Sequence, residues 1–373
     1  MVIKNIQIVL ENEIIDNGYL VFEAGKIKEI GRGDYKGDAV DKSGLIAMPG
    51  FIDVHIHGSA GIDFMDAKEE DYEKIANSLY QEGVTSFLAT TLTSDYDSLA
   101  RVCKTVKNVK KHIASLAGIH LEGPYISEIY KGAQNGKYIR DPDILEFNKL
   151  QELSGNNIRY ITIAPEKPNA LSFIKEITNN GVTASVGHSN ASYDDVKNAI
   201  DNGLSNVTHT YNAMSPHNHR HPGVVTAALY FDNLYTEFIC DKIHVCEETL
   251  NMSYRIIGPE RFVVITDALK AKHSNIDEFE LFEQPCEKKN GAAYLLSGPL
   301  AGSLLTMDQA LRNMKEITNA SLIDLAKITS RNAARSIKLN DRGIIKEGLL
   351  ADIVLLDKDL NVKEVYKLGN KVK

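Results

Sequence analysis

The sequence predicts an α/β fold, a (β/α)₈ TIM barrel with a small β-sandwich domain assembled from both chain ends. Two observations predict it. From about residue 50 short β-rich runs alternate with helical periods, and eight such runs fit the count and size of a barrel. The ends lack that alternation: residues 1–48 and 340–373 hold short strands broken at Asp16-Asn17-Gly18, Glu23-Ala24-Gly25-Lys26, Gly348 and Gly369, and neither segment alone can bury a core. They are therefore expected to pair with each other, leaving residues 49–339 as the barrel. A chain of 373 residues has room for both units. A doubly wound sheet is the alternative for the alternating part.

In chain order the expected strands are 51–57, 85–91, 116–122, 160–164, 183–188, 206–209, 237–240 and 262–267. Helix-like stretches between them include 71–81, 98–112, 171–179 and 194–200. Three of these end in the same punctuation, Glu82-Gly83-Val84-Thr85, Asn180-Gly181-Val182-Thr183 and Asn202-Gly203-Leu204-Ser205, where glycine supplies the left-handed stop before the next strand. Residues 321–337, around Thr329-Ser330-Arg331-Asn332-Ala333-Ala334, read as a late helix joining the barrel to the terminal domain.

Lys+Arg 42 against Asp+Glu 50 gives a net charge of −8, and the one short basic run, Lys107 to His112, reads as a solvated helix face. Nucleic acid is not an expected partner. An anionic substrate must instead be held by a few placed cations, since no general positive field exists. The opening Met-Val-Ile-Lys-Asn-Ile-Gln-Ile-Val-Leu alternates apolar with polar and lacks the apolar core of a signal peptide, and no apolar run approaches the ~18 residues of a membrane span. A cytoplasmic protein with no membrane contact is the expectation. The cysteines Cys103, Cys240, Cys246 and Cys286 are scattered without a C-x-x-C pair and are expected to be buried small hydrophobes.

His55-Ile56-His57 falls on the first strand, where side chains two apart share a face, so both imidazoles are expected to point into the barrel. Such groups are costly in a core unless partnered, whereas the C-terminal ends of barrel strands are where catalytic groups sit. An H-x-H pair alone is also compatible with ordinary polar residues. Four further strand ends carry a potential ligand or proton carrier: Glu122, His188, His209 and Asp267. Their common register brings them to one ring. Three or more imidazoles with carboxylates suit Zn²⁺ or a similar divalent first-row ion.

These residues also carry a resemblance. Pro49-Gly50-Phe51-Ile52-Asp53-Val54-His55-Ile56-His57-Gly58 resembles the strand-one signature of the amidohydrolase superfamily. His120-Leu121-Glu122-Gly123-Pro124, Gly187-His188-Ser189, Tyr211-Asn212-Ala213-Met214-Ser215, Asp241-Lys242-Ile243-His244 and Thr266-Asp267-Ala268 narrow it to the N-acetylglucosamine-6-phosphate deacetylase family. The resemblance implies hydrolysis of the N-acetyl group of N-acetylglucosamine 6-phosphate to glucosamine 6-phosphate and acetate. It further implies that Glu122, His188 and His209 hold the principal metal, and that His55 and His57 hold a second where two ions bind. Other members lack these two histidines and work with one ion. Relatives such as dihydroorotase bridge two metals through a modified lysine on strand four; residues 160–164 offer none, which makes Glu122 the natural bridge. Zn²⁺ is the expected ion, with Fe²⁺, Mn²⁺ and Co²⁺ compatible.

An amide is a poor electrophile and an amine a poor leaving group. A divalent ion lowers the pKa of a bound water to ~7 and polarises the carbonyl, while one carboxylate can take the water's proton and pass it to the departing nitrogen. Asp267 is expected to be that shuttle; the alternative is a strand-end aspartate that only caps a loop or ligates. By resemblance His244 donates to the acetyl carbonyl or a sugar hydroxyl, and the main chain at Ala133, Asn212, Ala213, Leu300, Ala301 and Gly302 touches the sugar or its phosphate. Gln134 stands where some relatives have histidine. In the loop 215–223 the alternating His217, His219 and His221 read as loop residues, since prolines flank them and no carboxylate accompanies them. The resemblance implies that Arg220 in this loop reaches the substrate phosphate of a neighbouring subunit, hence a homodimer. The competing readings are an N-acetylgalactosamine-6-phosphate deacetylase, a cyclic amidase or a deaminase, and, from another class, an assembly barrel without catalysis.

Overall fold

Strand and helix alternate from Phe51 to Thr318 because apolar strands that are buried on both faces are each followed by an amphipathic helix. The computed structural model describes residues 1–373. Its strands β1 (Phe51–Asp53), β2 (Val84–Thr90), β3 (Leu116–Glu122), β4 (Ile158–Ile163), β5 (Thr183–Val186), β6 (Asn206–Val207), β7 (Tyr235–Ile239) and β8 (Phe262–Ile265) form one eight-stranded sheet in sequence order. Every neighbouring pair is parallel. All residues of β2 and β3 are buried, as a sheet covered by helices on one face and filled on the other requires.

The helices α1 (Asp71–Tyr80), α2 (Tyr96–Val109), α3 (Ile144–Leu153), α4 (Ala170–Asn179), α5 (Tyr193–Asp201), α6 (Val224–Tyr230), α7 (Glu247–Ile257) and α8 (Met307–Thr318) follow the strands in turn. Helix α2 shows the logic: Leu99, Val102, Cys103, Val106 and Val109 bury one stripe, and the Asp95 side chain caps its start by accepting from Ser98 N. Gly83, Gly181 and Gly203 have φ of 88°, 88° and 105°, the left-handed stops expected at those junctions.

The barrel closes between β1 and β8 largely through a side chain. Buried Asp53 accepts from His55 N and Thr266 N at 3.3 Å each through Oδ1, and from Thr266 Oγ1 through Oδ2; beside it Asp267 N donates to His55 O at 2.8 Å. Strand β1 ends at Asp53, short of the expected His57, because the chain turns away to bond β8's extension: His57 N donates to Ala268 O at 2.9 Å.

The two chain ends pair as expected. Val2–Val9, Ile14–Glu23, Lys26–Arg32, Val40–Asp41 and Ile46–Pro49 share one mixed sheet with Ile353–Leu356, Val362–Lys367 and Asn370–Lys371, joined where Ile46–Pro49 runs antiparallel to Ile353–Leu356. The sheet curls on itself, with Ile27 N reaching Leu349 O at 2.9 Å and the Phe22 and Tyr366 rings 5.7 Å apart. It encloses a 13-residue apolar cluster distinct from the 90-residue cluster that fills the barrel and takes in Val9, Met48 and Val354 from this sheet. The late helix spans Leu322–Ser336 and passes through a wider π turn at Lys327–Arg331.

Three features differ from expectation. A four-stranded antiparallel sheet (Glu278–Leu281, Gln284–Lys289, Ala292–Leu295, Leu300–Ser303) is inserted between β8 and α8. Cys246 is exposed at the head of α7, beyond the barrel's apolar stripe, while Cys103, Cys240 and Cys286 are buried. In the basic run, Lys110 is half-buried and donates to Ala117 O at 2.6 Å instead of facing solvent, although Lys107 and Lys111 do face it. No helix is long and apolar enough to cross a membrane.

Candidate active site

Strand geometry delivers the ligand-type residues to one mouth of the barrel. His55, His188, His209 and Asp267 each lie two residues beyond the last residue of β1, β5, β6 and β8, and Glu122 is the last residue of β3. His188, His209 and Asp267 have φ of 49°, 28° and 48°. This left-handed backbone costs about 1–3 kcal/mol per non-glycine residue and persists at sites where the surrounding structure dictates it. Here it turns each side chain inward just where the strand ends.

Glu122 stands at the centre. Its Oε1 lies 3.2 Å from His188 Nε2, 3.1 Å from His209 Nε2 and 3.3 Å from His55 Nε2; its Oε2 lies 3.2 Å from His57 Nε2. Asp267 Oδ1 is 3.4 Å from His55 Nε2 and 3.2 Å from His57 Nε2. Three overlapping groups result, Glu122/His188/His209, His55/His57/Glu122 and His55/His209/Asp267, each with its ligand atoms within 4.8 Å of one another. His55 Nε2 is buried without a hydrogen-bond partner, as are the Nδ1 atoms of His57 and His209. A buried ring nitrogen facing two carboxylates, with a nitrogen and oxygen donor set around it, fits a divalent cation. Strand β4 carries no lysine, so the carboxylate common to two groups is that of Glu122.

Neighbouring groups orient these ligands. His188 Nδ1 donates to Tyr130 O at 2.9 Å, and Gln134 Nε2 donates to Glu122 Oε2 at 2.7 Å while its Oε1 accepts from Thr93 N at 2.7 Å. The Gln134 amide is thus spent on holding Glu122. Burial opposes the charge of Glu122, but His55, His188 and His209 hold its carboxyl well below the usual range. Burial acts the same way on Asp267 and is again outweighed, by His55 and His57, so this group is kept anionic as a proton acceptor must be. His120 is no ligand. Burial drives its pKa far down, and its Nε2 pairs with Thr162 Oγ1 at 2.8 Å below the cluster.

Above the cluster opens a cavity of about 190 Å³, lined by Ala133, Asn212, Ala213, His244, Leu300, Ala301 and Gly302 as the sequence suggests, and also by Leu92, Gly132, Gln134 and Leu281. Gly132, at φ 57°, lets the main chain pass His188: a Cβ there would come within 3.3 Å of the ring. His244 Nδ1 is held by Asp241 Oδ2 at 2.6 Å, which leaves Nε2 for the cavity. The inserted sheet forms one wall. Gln284 Nε2 donates to Ala133 O, and Glu283 accepts from Tyr138 Oη at 3.2 Å and Asn135 Nδ2 at 3.3 Å.

Arg220 belongs to neither the ligand cluster nor this cavity. It is exposed, in a separate depression with Tyr130, Tyr193 and the 215–223 loop. The residues that sequence reasoning did not assign are Glu237, Asp241 and Gln134's grip on Glu122. Glu237, a lone acid in an apolar strand, was the visible signal; the other two depend on loop geometry.

Comparison with known proteins finds relatives along the whole chain. The Amidohydrolase family model matches residues 46–372. The chain is 40% identical to an N-acetylglucosamine-6-phosphate deacetylase of Lysinibacillus sphaericus over 99% of its length and 97% of that protein's. To the deacetylase of the same name from Bacillus subtilis it is 37% identical, over 99% of its length and 96% of that protein's. Its fold matches an alanine variant of the Mycobacterium smegmatis N-acetyl-D-glucosamine-6-phosphate deacetylase, solved with N-acetyl-D-glucosamine-6-phosphate, at a TM-score of 0.95 and 29% identity, covering 100% of this chain and 99% of that one. The chain belongs to the amidohydrolase family.

Proposed function

We propose that the chain hydrolyses the N-acetyl group of N-acetylglucosamine 6-phosphate, releasing glucosamine 6-phosphate and acetate. The observation that carries this reading is the convergence of Glu122, His188, His209, His55 and His57 with an anionic Asp267 beneath a small polar cavity, in a chain similar along its whole length to named deacetylases of that substrate.

Glu122, His188 and His209 would hold the principal ion, and His55 with His57 a second one, Zn²⁺ being the ion that this nitrogen-rich set suits best. A divalent ion bound there supplies Lewis acidity, lowering the pKa of water and polarising the amide carbonyl. The remaining steps belong to the chain. Asp267 accepts the proton of the attacking water and returns it to the amide nitrogen as the C–N bond breaks, so glucosamine leaves as a neutral amine. His244, whose Nδ1 donates to Asp241 Oδ2, presents the Nε2 lone pair to a sugar hydroxyl, and meets the acetyl oxygen only when Nε2 carries a proton as well. The main chain at Ala133, Asn212, Ala213 and Leu300–Gly302 shapes the sugar subsite. Leu92 and Leu281 supply apolar walls.

The phosphate is read by Arg220 from the neighbouring subunit of a homodimer. Its exposure and its place outside its own chain's cavity support this, because no arginine lines that cavity. Residues 1–48 and 340–373 form the small β domain and 49–339 the barrel, and the protein acts in the cytoplasm. Measuring acetate and ammonia from N-acetylglucosamine 6-phosphate, with the galacto epimer in parallel, tests the reaction. Stoichiometric acetate with no ammonia is expected; ammonia as the product would assign a deaminase instead, and the absence of either product would return the chain to an assembly role.

A further inference from the structure

Glu237 takes no part in the chemistry above, yet it lies fully enclosed in β7 among apolar residues. A carboxylate in such surroundings is costly unless donors meet its oxygens. Three do. Tyr160 Oη donates to Oε1 at 2.6 Å, His55 Nδ1 to Oε2 at 3.2 Å, and the His209 main-chain N–H to Oε2 at 3.3 Å. Tyr160 in turn accepts from Asn206 Nδ2 at 3.2 Å. We propose that Glu237 is a positioning residue, which fixes the proton of His55 on Nδ1 and thereby makes His55 a metal ligand through Nε2.

The inference rests on the reading of His55 as a ligand. With Nδ1 carrying the proton, the lone pair must sit on Nε2, the very atom that lacks a hydrogen-bond partner and faces Glu122 Oε1 at 3.3 Å and Asp267 Oδ1 at 3.4 Å. A full negative charge behind an imidazole also raises its basicity as a ligand. The other histidines of the cluster receive less: His188 is oriented by a neutral main-chain carbonyl, and the Nδ1 atoms of His57 and His209 have no partner. The carboxylate therefore backs only the ring of His55, in the ion shared by His55 and His57, and touches His209 through its main-chain N–H alone, a bond that glutamine can also accept. The ion held by Glu122, His188 and His209 should depend on it little.

The experiment follows metal retention. Zn²⁺-loaded protein is titrated with a chelator and the metal per chain is measured for wild type, Glu237→Gln, Tyr160→Phe, His55→Ala and the His55→Ala/Glu237→Gln double variant, with melting temperatures recorded. Glu237→Gln keeps the volume and an acceptor and removes the charge. It should lose one ion at roughly 10- to 100-fold weaker affinity, the usual size for such a partner, and retain the other. Tyr160→Phe should shift the same ion in the same direction by less, and it keeps the test open if Glu237→Gln folds poorly. In the His55→Ala background Glu237→Gln should change metal release no further. Wild-type retention of both ions in Glu237→Gln, or an added loss in the His55→Ala background, would overturn the inference. Identical release by wild type and His55→Ala would instead remove His55 as a ligand, and with it the reading beneath.

Discussion

At Asp267 two demands meet in one side chain. Its Oδ1 lies 3.2–3.4 Å from His57 and His55, as a ligand would, while its oxygen also borders the cavity where an amide must sit. Replacing it with asparagine preserves shape and abolishes proton transfer. Asp267→Asn should therefore retain most of its metal and lose about 10²- to 10⁴-fold in kcat, the range for general acid–base catalysis; a kcat above about a tenth of wild type would assign the residue to loop capping. Asp267 and Glu122 also hold protons on His55 and His57. Burial opposes charge on His57, but Asp267 and Glu122 outweigh it and lift its pKa to about 9. Protons and metal ions thus compete for one nitrogen, and a raised pKa means that acid favours the proton. Metal affinity, read by chelator competition, should rise as pH increases from about 6 and level near 9. A flat profile across that window would show that His57 is no ligand.

Among the elements, the seam between β1 and β8 is where fold and site are joined. Asp53 ties His55 N to Thr266, one residue before Asp267, so the closure of the barrel also sets the spacing of two site residues. Asp53→Ala leaves three buried donors unmet, at about 1–3 kcal/mol each before relaxation. A loss of roughly 2–5 kcal/mol in urea unfolding is expected, with Asp53→Asn losing less because one acceptor remains; equal and small losses for both would place closure elsewhere. The eight barrel strands were legible because each buried run is short, apolar and bounded by a turn signal, and because glycine marks three helix ends. Strand ends were less so, since His55–His57 leaves the ladder to bond Ala268, a partner more than two hundred residues away that no local pattern announces. The inserted sheet was missed for a related reason. Glu278-Phe279-Glu280-Leu281 alternates like a half-exposed strand, but it follows the eighth strand, where a barrel's count is already complete. Glu122, His188, His209, His55, His57 and Asp267 were readable from a shared register; Glu237 was visible as an acid in an apolar strand, but its partner on β1 becomes evident only once the strands close.

In the whole molecule, an acidic chain must hold a sugar phosphate with few cations, and Arg220 is its exposed candidate. Arg220→Ala should lower kcat/KM for N-acetylglucosamine 6-phosphate by roughly 10- to 100-fold, the size of a charge-assisted contact of about 1.5–3 kcal/mol, and barely affect the unphosphorylated sugar. Equal losses on both, with a lowered melting temperature, would make Arg220 a loop support. Sedimentation should show a dimer, and mixing Arg220→Ala with Asp267→Asn chains should restore activity in hybrid dimers that pair an intact Asp267 with the other chain's Arg220. The central claim is that one carboxylate and its histidines hold the ion on which amide hydrolysis depends. It is tested most directly by counting metal per chain and acetate released in the same preparations of wild type, Glu122→Gln and His188→Ala. Metal and acetate release are predicted to fall together in both variants, since each removes a ligand of the principal ion. Full metal occupancy in either variant, or acetate release that survives the loss of metal, would contradict the account.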